Sequence, residues 1–142
     1  MKKSFLLLCI VALLTTSCSS SKNSLPRIMN ILNAKWALQS LAGQSSLGDL
    51  FSSKLPFLQF DTQAKRISGN NGCNSLTGPL NITEGNKISF AQMASTKMAC
   101  PGNGENVFMN ALNKVTNFKV DNGILTLLNG AQELMKFSKD NS

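Results

Sequence analysis

The last third of the sequence constrains the fold most strongly, because three short apolar segments there are separated by glycine-containing turns. The segments read NFKV, ILTLL and ELMKFS, and the stretches between them are Asp121–Gly123 and Asn129–Gln132. Asn-Gly pairs adopt the positive backbone angles that tight hairpin turns require. The end of the chain is therefore predicted to form a three-stranded antiparallel meander.

Earlier segments repeat this pattern of short strands and turns. Ala34–Gly43 is predicted to form a first strand, with inward-facing residues at alternate positions. Phe57–Asp61 and Arg66–Gly69 are predicted to pair as two strands, and a hairpin is predicted around Glu84–Asn86. Seven or eight short strands with one helix predict an α+β, mostly β fold. We expect a small, strongly curved antiparallel sheet, a partly open barrel, with the helix packed against it.

One segment has clear helical periodicity, GENVFMNALNKV. Its apolar residues recur at the spacing of one helix face, and they are Val107, Phe108, Ala111, Leu112 and Val115. Such a stripe indicates packing inside the curve of the sheet, and it leaves Met109 off the buried face. We expect Met109 to tolerate polar substitution.

Length and charge limit the class of protein. The chain has 142 residues, enough for one domain, and its formal net charge is +7. The basic residues are scattered, with Lys65-Arg66 the only adjacent pair after Lys2-Lys3. Nucleic-acid binding usually requires a concentrated basic patch, so we expect no nucleic-acid partner.

The N-terminus has the layout of a secretory signal. Two lysines precede an apolar run from Phe5 to Leu14, and small residues then lead to Cys18. Ten apolar residues are too few for a membrane-spanning helix, which takes ~20. The segment before Cys18 resembles a bacterial lipobox, which predicts cleavage before Cys18 and acylation of its thiol. The alternative is an ordinary signal peptide whose cleavage site abuts a cysteine.

These features predict the domain boundaries and the location. Residues 1–17 form the signal peptide, the polar residues 18–33 a flexible tether, and residues 34–140 the folded domain. A tether without acidic residues indicates a lipid anchor on Cys18 in the outer membrane, with the domain facing the periplasm. We expect a monomer.

The remaining cysteines are predicted to pair. Outside the signal and Cys18, only Cys73 and Cys100 are left, in a compartment that oxidises thiols. Both lie among small and turn-forming residues, which suits a disulfide between irregular segments. The alternative is a pair of reduced, partly buried thiols.

A disulfide at these positions would bring Asn74, Thr96 and Lys97 together on one face. This cluster is the candidate partner-binding site. Packing or turn capping is the alternative role of Asn74 and Thr96.

Residues that carry most enzyme chemistry are missing. The chain has no histidine and no tyrosine, so a Ser–His–Asp or Cys–His arrangement cannot form. A zinc site would take about four ligands, and two cysteines remain. We expect no catalytic residue, no metal and no cofactor.

Several segments together resemble the META domain, an HslJ-like family of bacterial envelope proteins. They are WALQSLAG, ISGNNGCNSLTG, MASTKMACPG, ENVFMNALNKVTNF and DNGILTLL, which span about residues 34–138. The family usually has a polar and an aromatic residue after the glycine that closes its cysteine motif, whereas Gly78 is followed by Pro79-Leu80. The resemblance implies a curved antiparallel sheet holding one helix and a role in envelope stress. It implies no agreed catalytic activity.

Three functions agree with these observations. The first is a non-enzymatic envelope lipoprotein that binds or helps to assemble an envelope protein partner. The second is a carrier that holds an acyl chain or another apolar ligand, and the third is an inhibitor that presents the STKMACPG loop to a protease. In the third, Lys97 or Met98 is the presented residue.

Overall fold

The computed structural model describes residues 24–83 and 85–141, and these residues form ten strands and three helices. The helices are α1 (Ser24–Leu32), α2 (Leu47–Leu50) and α3 (Gly104–Leu112). The longer strands are β1 (Lys35–Leu41), β2 (Phe57–Asp61), β3 (Arg66–Asn70), β4 (Ser75–Pro79), β8 (Asn117–Asp121), β9 (Ile124–Asn129) and β10 (Gln132–Asp140). Three two-residue strands complete the set: β5 (Asn81–Ile82), β6 (Ile88–Ser89) and β7 (Ala94–Ser95).

Eight strands form one antiparallel sheet in the order β7-β4-β3-β2-β1-β10-β9-β8. The predicted C-terminal meander is confirmed, because β9 pairs with both β8 and β10. The predicted pair β2–β3 is also present, with Phe57 opposite Asn70 and Asp61 opposite Arg66. The short hairpin β5–β6 is a separate two-stranded ladder.

The sheet is curved and open, as the sequence predicted. The pairing register shifts within β1 and within β10, and such irregularities bend strands. The β5–β6 hairpin covers part of one sheet edge, since Phe118 N–H donates to Asn86 O at 2.9 Å and Asn86 Nδ2 donates to Phe118 O at 2.8 Å. At the opposite edge lies β7, next to β4.

Helix α3 packs on the buried face of the sheet against β10. Phe108 and Phe137 are both fully buried, and their rings meet edge to face with centroids 6.4 Å apart. Leu112 is also fully buried, which agrees with the predicted apolar stripe. Met109 differs from the prediction: it is half-buried and packs against the core, so it is a poor site for a polar substitution.

The segment predicted as a flexible tether is helical from Ser24 to Leu32, so that part of the prediction is wrong. The missed signal is an apolar spacing of one helix face, at Leu25, Ile28, Met29 and Leu32. Leu32 is fully buried, and its carbonyl accepts a hydrogen bond of 3.0 Å from Trp36 Nε1. The folded body therefore begins before Ala34.

The predicted signal peptide (residues 1–17), Cys18 and the first part of the tether lie outside the described residues. Among the helices that are described, none has the length and apolar character to cross a bilayer.

Candidate functional site

The candidate site lies where the turn between β3 and β4 meets the loop between β7 and α3. Cys73 in the turn and Cys100 in the loop form a disulfide, with their Cα atoms 5.9 Å apart. Cys73 is buried and Cys100 is exposed. The bond thus ties an exposed loop, residues 96–100, to a buried turn. We refer to residues 96–100 as the 96–100 loop.

Two asparagine side chains shape the buried turn. Asn70 Oδ1 accepts a hydrogen bond from Gly72 N–H at 2.8 Å, and Asn71 Oδ1 accepts from the N–H groups of Cys73 and Asn74 at 3.1 and 2.7 Å. Asparagine favours such turns because its side chain can replace a main-chain acceptor. These bonds fix the direction in which Asn74 leaves the turn.

Gly72 is required in this turn for two reasons. Its φ is +97°, a conformation that side chains disfavour, and a Cβ there would collide with the ring of Phe51. Gly104, the first residue of α3, packs as closely, since a Cβ would collide with Leu50 O. The turn and the start of α3 are therefore packed on the end of α2 and on Phe51, the residue that follows it.

The side chain of Asn74 anchors the 96–100 loop to the buried turn. Met98 N–H donates to Asn74 Oδ1 at 2.7 Å, and Asn74 Nδ2 donates to Met98 O at 3.2 Å. Thr96 Oγ1 also donates to Asn74 Oδ1, at 2.8 Å. Asn74 is only 1% exposed. Its side chain thus fixes both main-chain groups of Met98 and the hydroxyl group of Thr96.

The same network continues into helix α3 through Glu105. Asn74 Nδ2 lies 3.0 Å from both carboxylate oxygens of Glu105, and Asn71 Nδ2 donates to Oε1 at 2.9 Å. Glu105 is in the first turn of α3, where the helix dipole favours a negative charge. Amide donors and the helix N-terminus therefore hold this carboxylate in place.

Two side chains of the loop point outward. Lys97 is exposed, and Met98 is 59% exposed, the largest value among the large hydrophobic residues that the structure describes. Beside the loop lies a shallow pocket of about 170 Å³ that includes Phe51, Cys100 and Glu105 in its lining. The site therefore combines a rigid main chain with protruding side chains.

The structure brings the three predicted site residues together but gives them different roles. Asn74 is buried and supports the loop, Thr96 hydrogen-bonds to it, and Lys97 is exposed. Packing, the alternative weighed for Asn74, is the role that the structure shows. Sequence reasoning missed Asn71 as a turn former, although its position in an Asn- and Gly-rich run was a usable signal. It also did not connect Glu105 with this site.

A second polar cluster lies on the exposed face of the sheet. Glu133 forms ion pairs with Lys119 at 2.7 Å and with Lys136 at 2.8 Å. Hydrogen bonds from Lys119 and then Lys136 lower the pKa of Glu133 to about 2, so this carboxylate stays ionised at physiological pH. All three side chains are solvated, and exposed ion pairs of this kind add little stability.

Metal-ligating residues are not grouped in residues 24–83 and 85–141: nowhere there do three His, Cys, Asp or Glu side chains come together as a metal site would require. Across the same residues, every buried side-chain nitrogen and oxygen has a hydrogen-bond partner.

Comparison with known families decides the classification. The family model described as the META domain matches residues 29–142. The chain belongs to the META domain family. The match begins within α1, in agreement with the helical start of the folded body.

Two solved structures share the META domain fold of this chain. A protein from Burkholderia xenovorans, solved by NMR, is similar with a TM-score of 0.61 and 22% identity, covering 82% of this chain and 89% of that one. A DUF4847 family protein from Bacteroides vulgatus, solved by crystallography, is similar with a TM-score of 0.55 and 14% identity, covering 79% and 96%. A search of curated proteins gave no significant match.

Proposed function

We propose that this META domain protein is a non-enzymatic, membrane-anchored envelope protein that binds another envelope protein through its 96–100 loop. The observation that carries the proposal is the pair of hydrogen bonds by which Asn74 holds the main chain of Met98, which we call the clamp. Asn74 bonds both main-chain groups of Met98, and the side chain of Met98 remains 59% exposed. Because these two bonds already fix the main chain of Met98, binding costs little additional main-chain entropy, which favours partner recognition.

The chemistry of the site supports a binding role rather than catalysis. The chain has no histidine to act as general base. The one carboxylate in the network, Glu105, is held by the amides of Asn71 and Asn74. The groups that would have to react are thus occupied in holding the loop, and no cofactor or metal is proposed.

A carrier function finds no support in the packing. Large side chains fill the space enclosed by the sheet, where an acyl chain would lie. Those with at most 2% exposure include Trp36, Phe60, Phe90, Phe108, Phe118 and Phe137. Protein interiors packed in this way leave no room for a lipid tail.

A photo-crosslinker tests the binding role of the loop. With p-benzoylphenylalanine at position 98, we expect a defined adduct with one envelope protein in intact cells. The same group at the exposed position 114, two residues after α3, should give none. Asn74→Ala releases the main chain of Met98 while the disulfide remains, and it should weaken the adduct at position 98.

Equal adducts at positions 98 and 114 would mean that the loop has no special role. Loss of the adduct in Asn74→Ala, with the protein still folded by circular dichroism, would support the clamp as the source of recognition.

The proposed location follows from Cys18. Acylation there would place the domain at the periplasmic face of the outer membrane, where an envelope-stress role belongs. We expect Cys18→Ala to move the protein from the membrane pellet to the soluble periplasmic fraction, because a lipid anchor supplies most of the membrane affinity. Fractionation with immunoblotting measures this. A Cys18→Ala protein that still sediments with the membranes would refute the anchor.

A further inference from the structure

We infer that the 96–100 loop is a substrate-like inhibitory loop for a trypsin-like serine endopeptidase, with Lys97 as the residue that enters the specificity pocket. This inference rests on the proposed function, since it assigns a class of partner to the same loop. It depends on three features: the open sheet edge before Lys97, the exposure of Lys97, and the anchoring of the residues around it.

The main chain before Lys97 is available for pairing with a partner. Strand β7 is at the sheet edge, and on its inner side Thr96 N–H donates to Ser75 O at 3.1 Å. Ser95 pairs with Leu76 at the next position, and hydrogen-bonded positions alternate in antiparallel ladders. The N–H and C=O of Ser95 therefore point away from the sheet.

Endopeptidases bind the residues before the scissile bond as an added antiparallel strand, the mode known as β-augmentation. The outward main-chain groups of Ser95 lie two residues before Lys97, where that added strand pairs. Lys97 itself is exposed, and its ammonium suits a pocket with an aspartate at its base, as in trypsin.

Met98 cannot be the residue that enters the specificity pocket, although its side chain is exposed. The carbonyl of that residue has to enter the oxyanion hole of the enzyme. Met98 O instead faces Asn74 Nδ2 at 3.2 Å, inside the protein. Of the two residues that the sequence offered for this role, the structure selects Lys97.

The anchors around the Lys97–Met98 bond favour inhibition over digestion. The enzyme serine gives its proton to the catalytic histidine and attacks the carbonyl carbon of Lys97. The Lys97–Met98 bond then breaks, an ester forms, and the histidine transfers that proton to the Met98 nitrogen. That nitrogen is held by Asn74 Oδ1, and the following chain is tied through Cys100 to Cys73. The amine therefore stays beside the ester.

Because the amine stays in place, the reverse reaction is favoured. The Met98 nitrogen attacks the ester, the peptide bond re-forms, and the serine oxygen takes back its proton. A held nucleophile has a high effective concentration, which allows it to compete with water. The enzyme then remains occupied by an intact loop.

The test uses the purified full-length chain in detergent, with trypsin as the probe and a chromogenic lysine peptide as the reporter substrate. We expect the folded, oxidised protein to inhibit trypsin at micromolar concentration or below. Lys97→Ala should raise the inhibition constant by roughly 30-fold or more, the loss of a hot-spot residue. Lys114→Ala removes an exposed lysine two residues after α3; it is the matched control and should inhibit like wild type.

A change of specificity provides a second measurement. Lys97→Phe replaces one exposed side chain by another, so the fold should be kept, and it should transfer inhibition from trypsin to chymotrypsin, whose pocket is apolar. Intact-mass spectrometry of the trypsin mixture should show mostly uncleaved Lys97–Met98 bond.

The inference is overturned if the folded protein does not inhibit trypsin, if Lys97→Ala inhibits as well as wild type, or if Lys97–Met98 is cut as fast as in the reduced, unfolded chain. A position-98 adduct in cells together with no trypsin inhibition would overturn the inference and leave the proposed binding function intact.

Discussion

Replacing Phe108 with alanine is expected to lower the free energy of unfolding by about 3–5 kcal/mol, the cost typical of removing a buried aromatic side chain. Phe108 is fully buried on α3, and its ring contacts that of Phe137 on β10 edge to face. Aromatic pairs in this geometry add stability beyond the buried area. Denaturant unfolding followed by circular dichroism measures the change.

The matched control for Phe108→Ala is Asn110→Ala, an exposed position on the same helix. Its effect should stay within about 0.5 kcal/mol of wild type. Met109 is unsuitable because it packs partly against the core. If Phe108→Ala unfolded at the same denaturant concentration as Asn110→Ala, the helix would not lie against the sheet as described.

Replacing Cys73 and Cys100 together with alanine is expected to cost ~3.5 kcal/mol, because the disulfide restricts the unfolded chain. The two cysteines are separated by 27 positions, which sets the size of the closed loop and of the entropy term. A domain stable by ~5–15 kcal/mol would lose a large fraction of its stability. The measurement is denaturant unfolding with and without dithiothreitol.

Dithiothreitol should lower the stability of wild type to that of the double variant and leave the variant itself unchanged. Alkylation of the native-purified protein under denaturing, non-reducing conditions, with mass spectrometry of the peptides, gives an independent readout. Two labelled thiols at positions 73 and 100 would contradict both the disulfide and the anchored loop.

The two stability predictions concern separate regions of the protein. The pair Phe108–Phe137 joins α3 to the sheet, whereas the disulfide joins the turn after β3 to the 96–100 loop. The loop can therefore lose its anchor while the core stays folded. In that state the binding and inhibition assays should fail before the circular dichroism spectrum changes.

Local patterns in the sequence were sufficient for most of the fold. Strand β2 was predicted with the bounds that the structure shows, Phe57–Asp61, because alternating apolar residues are bounded by turn formers. The C-terminal meander and the stripe on α3 were predicted for the same reason. Helix α1 was missed because polar residues and Pro26 made the segment look like a linker, although proline is tolerated in a first helical turn.

For the candidate site, the sequence predicted which residues come together but not what each of them does. Composition and compartment predicted the pairing of Cys73 with Cys100, and the pairing implied that Asn74, Thr96 and Lys97 are neighbours. The sequence alone could not assign their roles. It left Asn74 as either a contact residue or a packed one, and it left Lys97 and Met98 equivalent.

Only the tertiary structure decided those roles, because the deciding contacts join residues far apart in the chain. Asn74 reaches Met98 across 24 positions and Glu105 across 31. The direction of its amide depends on the turn at Asn71 and on the packing of α3, which no local spacing encodes. A buried amide must find partners for its donors and its acceptor. The packing supplies those partners inside the protein, so the amide of Asn74 points inward, whereas Lys97 stays on the surface.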